Sequence, residues 1–207
     1  MKKELIIFDL DGTLYKTEEV SVPALKEAFS RFNIMVSEDT ILNQFGEPTD
    51  QIIDNLVPEE KSGMKDEIKK AIIEKESEFI PMKATLYDEV KEILSTLKER
   101  DYKLAICSNG RYDYIEKVLE TTSIMKYFSS IKSYSENNSK ADRIKGLLSE
   151  FAVEDAIVVG DRYHDIEAAE KAGVKSVGAL YGYGGEEAKK ADFVIEEPEE
   201  LLSIVLS

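Results

Sequence analysis

The sequence has one cysteine, one histidine and no tryptophan among its 207 residues. A single cysteine, Cys107, excludes an internal disulfide and a multi-cysteine metal site, and this favours a reducing compartment. The apolar neighbours of Cys107 predict a buried thiol. No hydrophobic run is long enough to form a transmembrane helix or a secretory signal. We therefore expect a cytoplasmic protein that does not associate with membranes.

Basic residues are also scarce. The chain has 42 Asp and Glu residues against 27 Lys and Arg, which gives a formal net charge of −15. This charge repels the phosphate backbone and argues against a nucleic-acid partner. An acidic protein that acts on an anionic substrate needs a local positive charge, and a bound divalent cation can supply it.

Short apolar runs alternate with amphipathic stretches in most of the chain. Amphipathic stretches of helical period are clearest at 87–100, 139–151 and 163–172. Runs that resemble buried parallel strands occur at 3–10, 103–108, 156–161, 174–180 and 191–196. This alternation predicts an α/β fold with a doubly wound parallel sheet.

Residues 16–82 interrupt the alternation. They contain only helical stretches, at 22–32, 37–45, 49–56 and 64–80. We therefore predict a small all-helical cap domain, residues 16–82, inserted after the first strand. The catalytic core would then consist of residues 1–15 and 83–207, a size that one main core can reach.

Two carboxylates, Asp9 and Asp11, follow the first predicted strand and precede Gly12. Open α/β sheets bind their ligands at this edge. Asp9 could attack phosphorus, while Asp11 could protonate the leaving oxygen and later activate water. In isolation, the same residues would also fit a solvated strand end and a simple turn.

Polar residues follow later core elements in the same way. Ser108, Asn109 and Gly110 come after the next predicted strand, where a hydroxyl and backbone amides can bind phosphate oxygens. Lys140 starts a predicted helix and could neutralise the nucleophile and the transferred phosphoryl group. Taken alone, each segment would also fit an ordinary turn or a surface lysine.

Asp161 ends another predicted strand, and Asp165 follows four residues later on a helix. Magnesium prefers oxygen ligands, so Asp9, the backbone carbonyl of Asp11 and Asp161 would form part of a Mg²⁺ site. Asp165 would orient that site or Lys140. Considered alone, Asp161 could cap the following helix and Asp165 could be a surface charge.

In their order along the chain, these motifs resemble the haloacid dehalogenase superfamily, specifically its phosphatases with a helical cap after the first motif. Residues 157–173 and 179–184 are similar to members of the phosphoglycolate-phosphatase type. The resemblance implies the superfamily's Rossmann-like core, a Mg²⁺ cofactor and an aspartyl-phosphate intermediate. It implies the following roles: Asp9 as nucleophile, Asp11 as acid and base, Ser108 as phosphate-binding hydroxyl, Lys140 as charge-neutralising lysine, and Asp161 and Asp165 as metal-site acids.

The chain departs from relatives at several positions. Dehalogenating members carry Tyr at the position of Asp11, and phosphonate-cleaving members lack an acid there, so both activities are disfavoured. Related β-phosphoglucomutases carry a hinge histidine at the position of Ser21. Lys16 and Ala141 also differ from common patterns at the cap entrance and after the third-motif lysine.

The resulting expectation is a Mg²⁺-dependent phosphomonoester hydrolase that acts on a small phosphorylated metabolite. Phosphoglycolate, a nucleoside monophosphate, a sugar phosphate and pyrophosphate remain open as substrates. The alternatives are a phosphosugar mutase and a non-catalytic phosphate-binding protein. The resemblance places Glu47 on a substrate-specificity loop. His164 need not face the site, and Arg111 and Arg162, which could help to hold an anionic substrate, are expected to be solvated. A monomer is the default expectation.

Overall fold

The computed structural model describes residues 5–206, and these residues form a six-stranded parallel sheet. The strands are β1 (Leu5–Phe8), β2 (Lys103–Cys107), β3 (Ser130–Lys132), β4 (Ala156–Gly160), β5 (Lys175–Ala179) and β6 (Phe193–Ile195). Their order is β3-β2-β1-β4-β5-β6. The chain therefore places β2 and β3 on one side of β1, and then β4, β5 and β6 on the other side. This doubly wound topology confirms the predicted fold class and creates a ligand-binding crevice beside β1.

Both faces of the sheet are covered, which explains why β1 is apolar at every position. Ile6 and Phe8 pack into one hydrophobic cluster, whereas Leu5 and Ile7 pack into a second cluster. Alternate strand residues point to opposite faces, so a strand covered on both sides needs an uninterrupted apolar run.

Between β1 and residue 83 the described chain is helical apart from turns and loops. The helices are α1 (Glu18–Ser30), α2 (Glu38–Leu42), α3 (Thr49–Leu56) and α4 (Lys65–Lys83), with a 3-10 segment at Glu59–Met64. A third hydrophobic cluster has its buried members between Val22 and Ile72. This separate cluster supports the proposed division into a cap at 16–82 and a core, which stays a prediction.

The remaining helices follow or precede core strands. They are α5 (Val90–Glu99), α6 (Tyr112–Thr121), α7 (Lys140–Phe151), α8 (Tyr163–Ala172) and α9 (Glu200–Val205). No helix in the range 5–206 combines the length and apolarity that crossing a bilayer requires.

Some element boundaries differ from those predicted. Helix α4 continues through Pro81 to Lys83, although a proline cannot donate a backbone hydrogen bond to the carbonyl four residues earlier. That carbonyl, of Ser77, instead accepts a hydrogen bond from Lys117 Nζ at 2.6 Å. A side chain from α6 therefore compensates for the break, which sequence periodicity could not reveal.

Two elements were not predicted at all. Strand β3 has three residues, all only half-buried, and α9 is six residues long. Both are too short to produce a periodic signal. The first predicted strand begins at Leu5 within the described range, and the part of the prediction before Leu5 lies outside it. The predicted burial of Cys107 is confirmed, since the residue is 1% exposed.

Candidate active site

The carboxyl ends of three neighbouring strands bring the predicted residues together. Phe8 is in register with Ile106 of β2 and with Val159 of β4. Because the strands are parallel, the residues that follow them emerge at the same edge of the sheet. Asp9, Ser108 and Asp161 therefore meet in one crevice, and all three are buried.

Lys140, the first residue of α7, reaches into this crevice from the side. Its Nζ lies 2.7 Å from Asp9 Oδ1 and 2.5 Å from Asp165 Oδ1. Burial acts to lower the pKa of Lys140, but the carboxylates of Asp165 and Asp9 outweigh it, and the pKa is raised. Lys140 is therefore a permanent cation between two buried acids.

Burial also dominates the acids around Lys140. Desolvation raises the pKa of Asp9 well above its usual range, against the opposing effect of Lys140 and with support from neighbouring carboxylates. Burial and the nearby Asp165 raise the pKa of Asp161 to about 7. These acids carry more negative charge than one lysine can neutralise.

The carboxylates fit a divalent cation. One oxygen each from Asp9, Asp161 and Asp165 can be chosen so that all three lie within 4.8 Å of one another. Asp161 Oδ1 is buried without a hydrogen-bond partner among the described residues. An unpaired buried carboxylate oxygen is costly unless a cation binds it, and hard oxygen ligands suit Mg²⁺.

Two glycines allow the loops around Asp161 to approach each other. Gly12 has φ +76°, and a Cβ there would lie 2.4 Å from Asp161 Oδ2. A Cβ on Gly182 would lie 2.4 Å from both Asp161 Cβ and the Gly12 carbonyl oxygen. The same loop lets the Tyr183 backbone N–H donate to Asp161 Oδ2 at 2.6 Å. Asp161 is therefore fixed from both sides.

The carboxyl group of Asp11 is held by two hydroxyl groups. Tyr114 Oη donates to Asp11 Oδ1 at 2.6 Å, and Thr17 Oγ1 donates to the same oxygen at 2.9 Å. Burial raises the pKa of Asp11, although both hydrogen bonds act to lower it. Tyr114 was not predicted, because it lies on α6, 103 residues from Asp11, and no local pattern marks it.

Arg143 supports the loop that follows β2. Its guanidinium is buried and donates to the Ser108 carbonyl oxygen and, at 2.6 Å, to Asn109 Oδ1. Asn109 Nδ2 in turn donates to the Gly46 carbonyl oxygen at 2.9 Å. The Gly110 backbone N–H donates to Ser108 Oγ at 3.0 Å. Arg143 was also not predicted, because three residues past Lys140 an arginine looks like part of an exposed helix.

The helices between β1 and β2 close the crevice into a cavity of about 60 Å³. Glu47 Oε1 contacts His164 Nε2 at 3.0 Å and accepts a hydrogen bond from Tyr163 Oη at 3.3 Å. Glu76 of α4, 7% exposed, accepts a hydrogen bond from Arg111 Nη1 at 3.0 Å. Both acids line the cavity.

The expectation that Arg111 and Arg162 are exposed to solvent is wrong. Arg111 also donates to Thr49 Oγ1 at 3.2 Å, and its side chain is only 18% exposed. Arg162 donates to Glu187 at 3.1 Å and to the Phe45 carbonyl oxygen. Both arginines and His164 line the cavity, because the cap segment covers turns that the sequence alone presents as exposed.

The fold and the site define a phosphate-ester hydrolase, and comparison with known proteins agrees. The profile of the family described as haloacid dehalogenase-like hydrolase matches residues 6–179. The chain belongs to this family, and within it the protein is a phosphatase.

Individual relatives cover nearly the whole chain. Pyrophosphatase PpaX from Listeria monocytogenes is 31% identical over 97% of this chain and 95% of its own length. A phosphoglycolate phosphatase from Vibrio parahaemolyticus is 28% identical over 98% of this chain and 96% of its own. The crystal structure of a predicted phosphoglycolate phosphatase from Haemophilus somnus superposes on this chain with a TM-score of 0.89 at 25% identity. The match covers 99% of this chain and 98% of that chain.

Proposed function

We propose that this protein is a Mg²⁺-dependent phosphomonoester hydrolase that acts on a small phosphorylated metabolite through an aspartyl phosphate on Asp9. The observation that carries the proposal is the convergence of Asp9, Asp11, Asp161 and Lys140 at one sheet edge beneath a closed cavity. The small cavity and the phosphoglycolate phosphatase among the relatives support a small substrate.

Asp9, Asp161 and the backbone carbonyl of Asp11 would hold the Mg²⁺, with Asp165 positioning Lys140 beside it. When bound, the cation would neutralise phosphate charge and keep nearby carboxylates ionised. The fit rests on the unpaired oxygen of Asp161 and on the close approach of three carboxylates.

In the first half-reaction, an Asp9 carboxylate oxygen attacks phosphorus and the bond to the leaving oxygen breaks. Lys140 neutralises charge on Asp9 and on the transferred group, while Ser108 and the amides of Asn109 and Gly110 bind phosphate oxygens. Asp11, in its protonated form, gives its proton to the leaving oxygen. Its raised pKa supports this role, because an acid must hold a proton to donate it.

In the second half-reaction, water attacks the phosphorus of the aspartyl phosphate. Asp11, now a carboxylate, takes the proton from this water, and Asp9 is released as a carboxylate with inorganic phosphate. Closure of the helices over the crevice excludes other water during the first step. Glu47 would contact the part of the substrate that is not phosphate.

The two alternatives fit the site less well. A mutase would need a group to return phosphate to a second hydroxyl, and Ser21 lies at the cavity where mutases carry a histidine. The single histidine, His164, is instead paired with Glu47. A purely phosphate-binding protein would not require an acid held by Tyr114 beside the buried carboxyl group of Asp9.

The central experiment compares wild type with Asp9→Asn on p-nitrophenyl phosphate and on a panel of phosphometabolites. We expect Asp9→Asn to lose nearly all turnover while circular dichroism and the unfolding midpoint stay native. The exposed variant Asp66→Asn is the matched control and should behave as wild type. A folded Asp9→Asn protein with near wild-type turnover would disprove the nucleophile.

Two further measurements test the intermediate and the metal. Rapid acid quench after a single turnover should yield wild-type protein carrying phosphate that is labile to hydroxylamine. Excess EDTA should abolish turnover, and Mg²⁺ should restore it. Full activity in EDTA would contradict the cofactor, and bisphosphate-dependent isomerisation of a hexose phosphate would favour the mutase.

A further inference from the structure

The cavity has two chemically different sides. The core side carries the groups assigned to phosphate, whereas eight lining residues come from the segment 16–82. These eight are Thr17, Ser21, Leu25, Gly46, Glu47, Thr49, Ile52 and Glu76. Two of them are acids, three carry hydroxyl groups, and none of these described residues is a cation. The leaving group of the substrate would therefore meet two carboxyl groups, hydroxyl groups and apolar carbon.

Glu76 lies on the side of the cavity that would face the leaving group of the substrate. Asp11 donates its proton to the leaving oxygen in the proposed mechanism, so the leaving group lies next to Asp11. Glu76 lines the same cavity as Asp11 and as Tyr114, whose hydroxyl group donates to Asp11. Glu76 therefore borders the space that the leaving group occupies.

The cations at the cavity are already neutralised by carboxylates of the protein. Arg111 donates through Nη1 to Glu76 and through Nε to Asp113, at 3.0 and 3.2 Å. Lys140 lies between Asp9 and Asp165. Arg162 shows the same pattern, because its Nε donates to Glu187.

Carboxylates outnumber permanent cations along the cavity wall. Asp11 holds a proton before transfer, so the carboxylates are Asp9, Glu47, Glu76 and Asp165, and the three permanent cations are Arg111, Lys140 and Arg162. A bound divalent cation would be used by the phosphate group itself. A second negative charge in the leaving group would therefore be buried against carboxylates without a free cation, which is strongly unfavourable.

The two cap acids offer free acceptors instead. Each uses one carboxylate oxygen for its core partner, Glu47 Oε1 for His164 and Glu76 Oε2 for Arg111. Within residues 5–206, no donor is seen for the second oxygen of either carboxylate. Hydroxyl groups of a substrate could donate to these oxygens, and hydrogen bonds to a charged acceptor are among the stronger ones.

We propose that this cavity selects phosphoesters whose leaving group carries hydroxyl groups and no negative charge, with Glu76 and Glu47 as the specificity-determining acceptors. The inference rests on the proposed hydrolase function and narrows its substrate class. Small polyol or sugar phosphates fit this chemistry, whereas phosphoglycolate and pyrophosphate place a further negative charge at the cap.

Matched pairs of esters test the proposal directly. In 2-hydroxyethyl phosphate and 2-phosphoglycolate, only a CH₂OH group is exchanged for a carboxylate, and glycerol 3-phosphate and 3-phosphoglycerate differ in the same way. At pH 8 we expect kcat/KM to be at least about tenfold higher for the hydroxyl member of each pair. Equal or higher kcat/KM for the carboxylate members, or for pyrophosphate, would overturn the proposal.

A charge-removing variant identifies the responsible residue. Glu76→Gln keeps the shape and the contact with Arg111 but removes the negative charge, so the hydroxyl-to-carboxylate ratio should fall at least fivefold through better use of the carboxylate ester. Glu78→Gln, an exposed position on the same helix, should keep the wild-type ratio. A Glu76→Gln variant that changes both esters by one common factor would show that Glu76 has only a structural role.

A second variant and a reference substrate distinguish failure of the substrate class from failure of the hydrolase function. If Glu76→Gln does not fold, Glu47→Gln tests the same ratio at a more exposed acid, and an unchanged ratio there would refute the proposal. Acetyl phosphate, a small and activated mixed anhydride, serves as the reference substrate. Absence of turnover of acetyl phosphate and of every ester would contradict the hydrolase function itself, whereas turnover without the expected preference contradicts only the substrate class.

Discussion

Burial is the main influence on the charge of Glu76, a residue of α4. Desolvation raises the pKa of Glu76 from 4.5 to about 7, against the opposing effect of Arg111. Asp11 and Asp113 raise it further, and the buried tyrosines 15 and 114 also face its charge. The folded protein therefore binds a proton at Glu76 more tightly than the unfolded chain does.

This difference predicts how stability changes with pH. The contribution of protonated Glu76 is complete below pH 4.5 and is lost as the pH rises from 4.5 through 7. Glu76→Gln cannot titrate, so the unfolding free energy of wild type minus that of the variant should decrease by about 3 kcal/mol across this window. Urea unfolding of both proteins at pH 5 and pH 8 measures it. A difference that is the same at both pH values would contradict the raised pKa.

Asp11 offers a second test at the level of one residue. As the proposed acid and base, its replacement in Asp11→Asn should reduce kcat by about 10² to 10⁴-fold for an alkyl phosphate. The loss in the first half-reaction should be smaller for p-nitrophenyl phosphate, because a good leaving group needs little protonation. Quenched-flow measurement should then show the aspartyl phosphate accumulating. A loss below about tenfold on the alkyl ester would rule out the acid role.

Among the elements, α7 links the loop after β2 to the segment 16–82. Arg143 on α7 binds the Ser108 carbonyl and Asn109, and Asn109 binds the Gly46 carbonyl. The first turn of the same helix carries Lys140. One helix therefore positions the charge-neutralising lysine, the loop after β2 and the contact with the cap segment.

Arg143→Lys should break this linkage while keeping the positive charge. An ammonium group cannot reproduce a planar fork that donates to two fixed acceptors, so we expect a loss of about 1 to 3 kcal/mol in unfolding free energy. The KM should rise more than kcat falls, because the loop and the cap contact bind the ground state as well as the transition state. The exposed Lys145→Arg on the same helix is the control. An Arg143→Lys protein with wild-type stability and KM would show that the bridge contributes little.

The elements that the sequence predicted well are those with a strong local pattern. The apolar runs of β1, β2 and β4 and the amphipathic stretches of α7 and α8 all form as expected. Strand β3 was missed because it is three half-buried residues whose stability comes from pairing with β2. Extension of α4 past Pro81 depends on Lys117, which is distant in the chain.

At the scale of the whole molecule, the core site was predictable and its cap side was not. Asp9, Ser108 and Asp161 directly follow buried strands, so parallel pairing alone brings them together. Glu76 and Tyr114 lie on helix faces with no local feature that marks them as part of the cavity. Their positions follow from how α4 packs on α6, and that is long-range information.

The net charge of −15 gives a prediction for the entire molecule. An anionic phosphoester approaching this protein is repelled over distances comparable to the Debye length, which is about 10 Å at 0.1 M salt. Screening should weaken that repulsion, so kcat/KM should rise as NaCl increases from about 10 to 200 mM at constant free Mg²⁺. The kcat at saturating substrate should change little, because the charges of Asp9, Asp161 and Lys140 are buried and poorly screened. Measuring kcat/KM and kcat across this salt series for one dianionic ester separates the two effects. A kcat/KM that falls with salt would mean that the local field of Lys140 and its neighbours, and not the net charge, governs the approach of substrate.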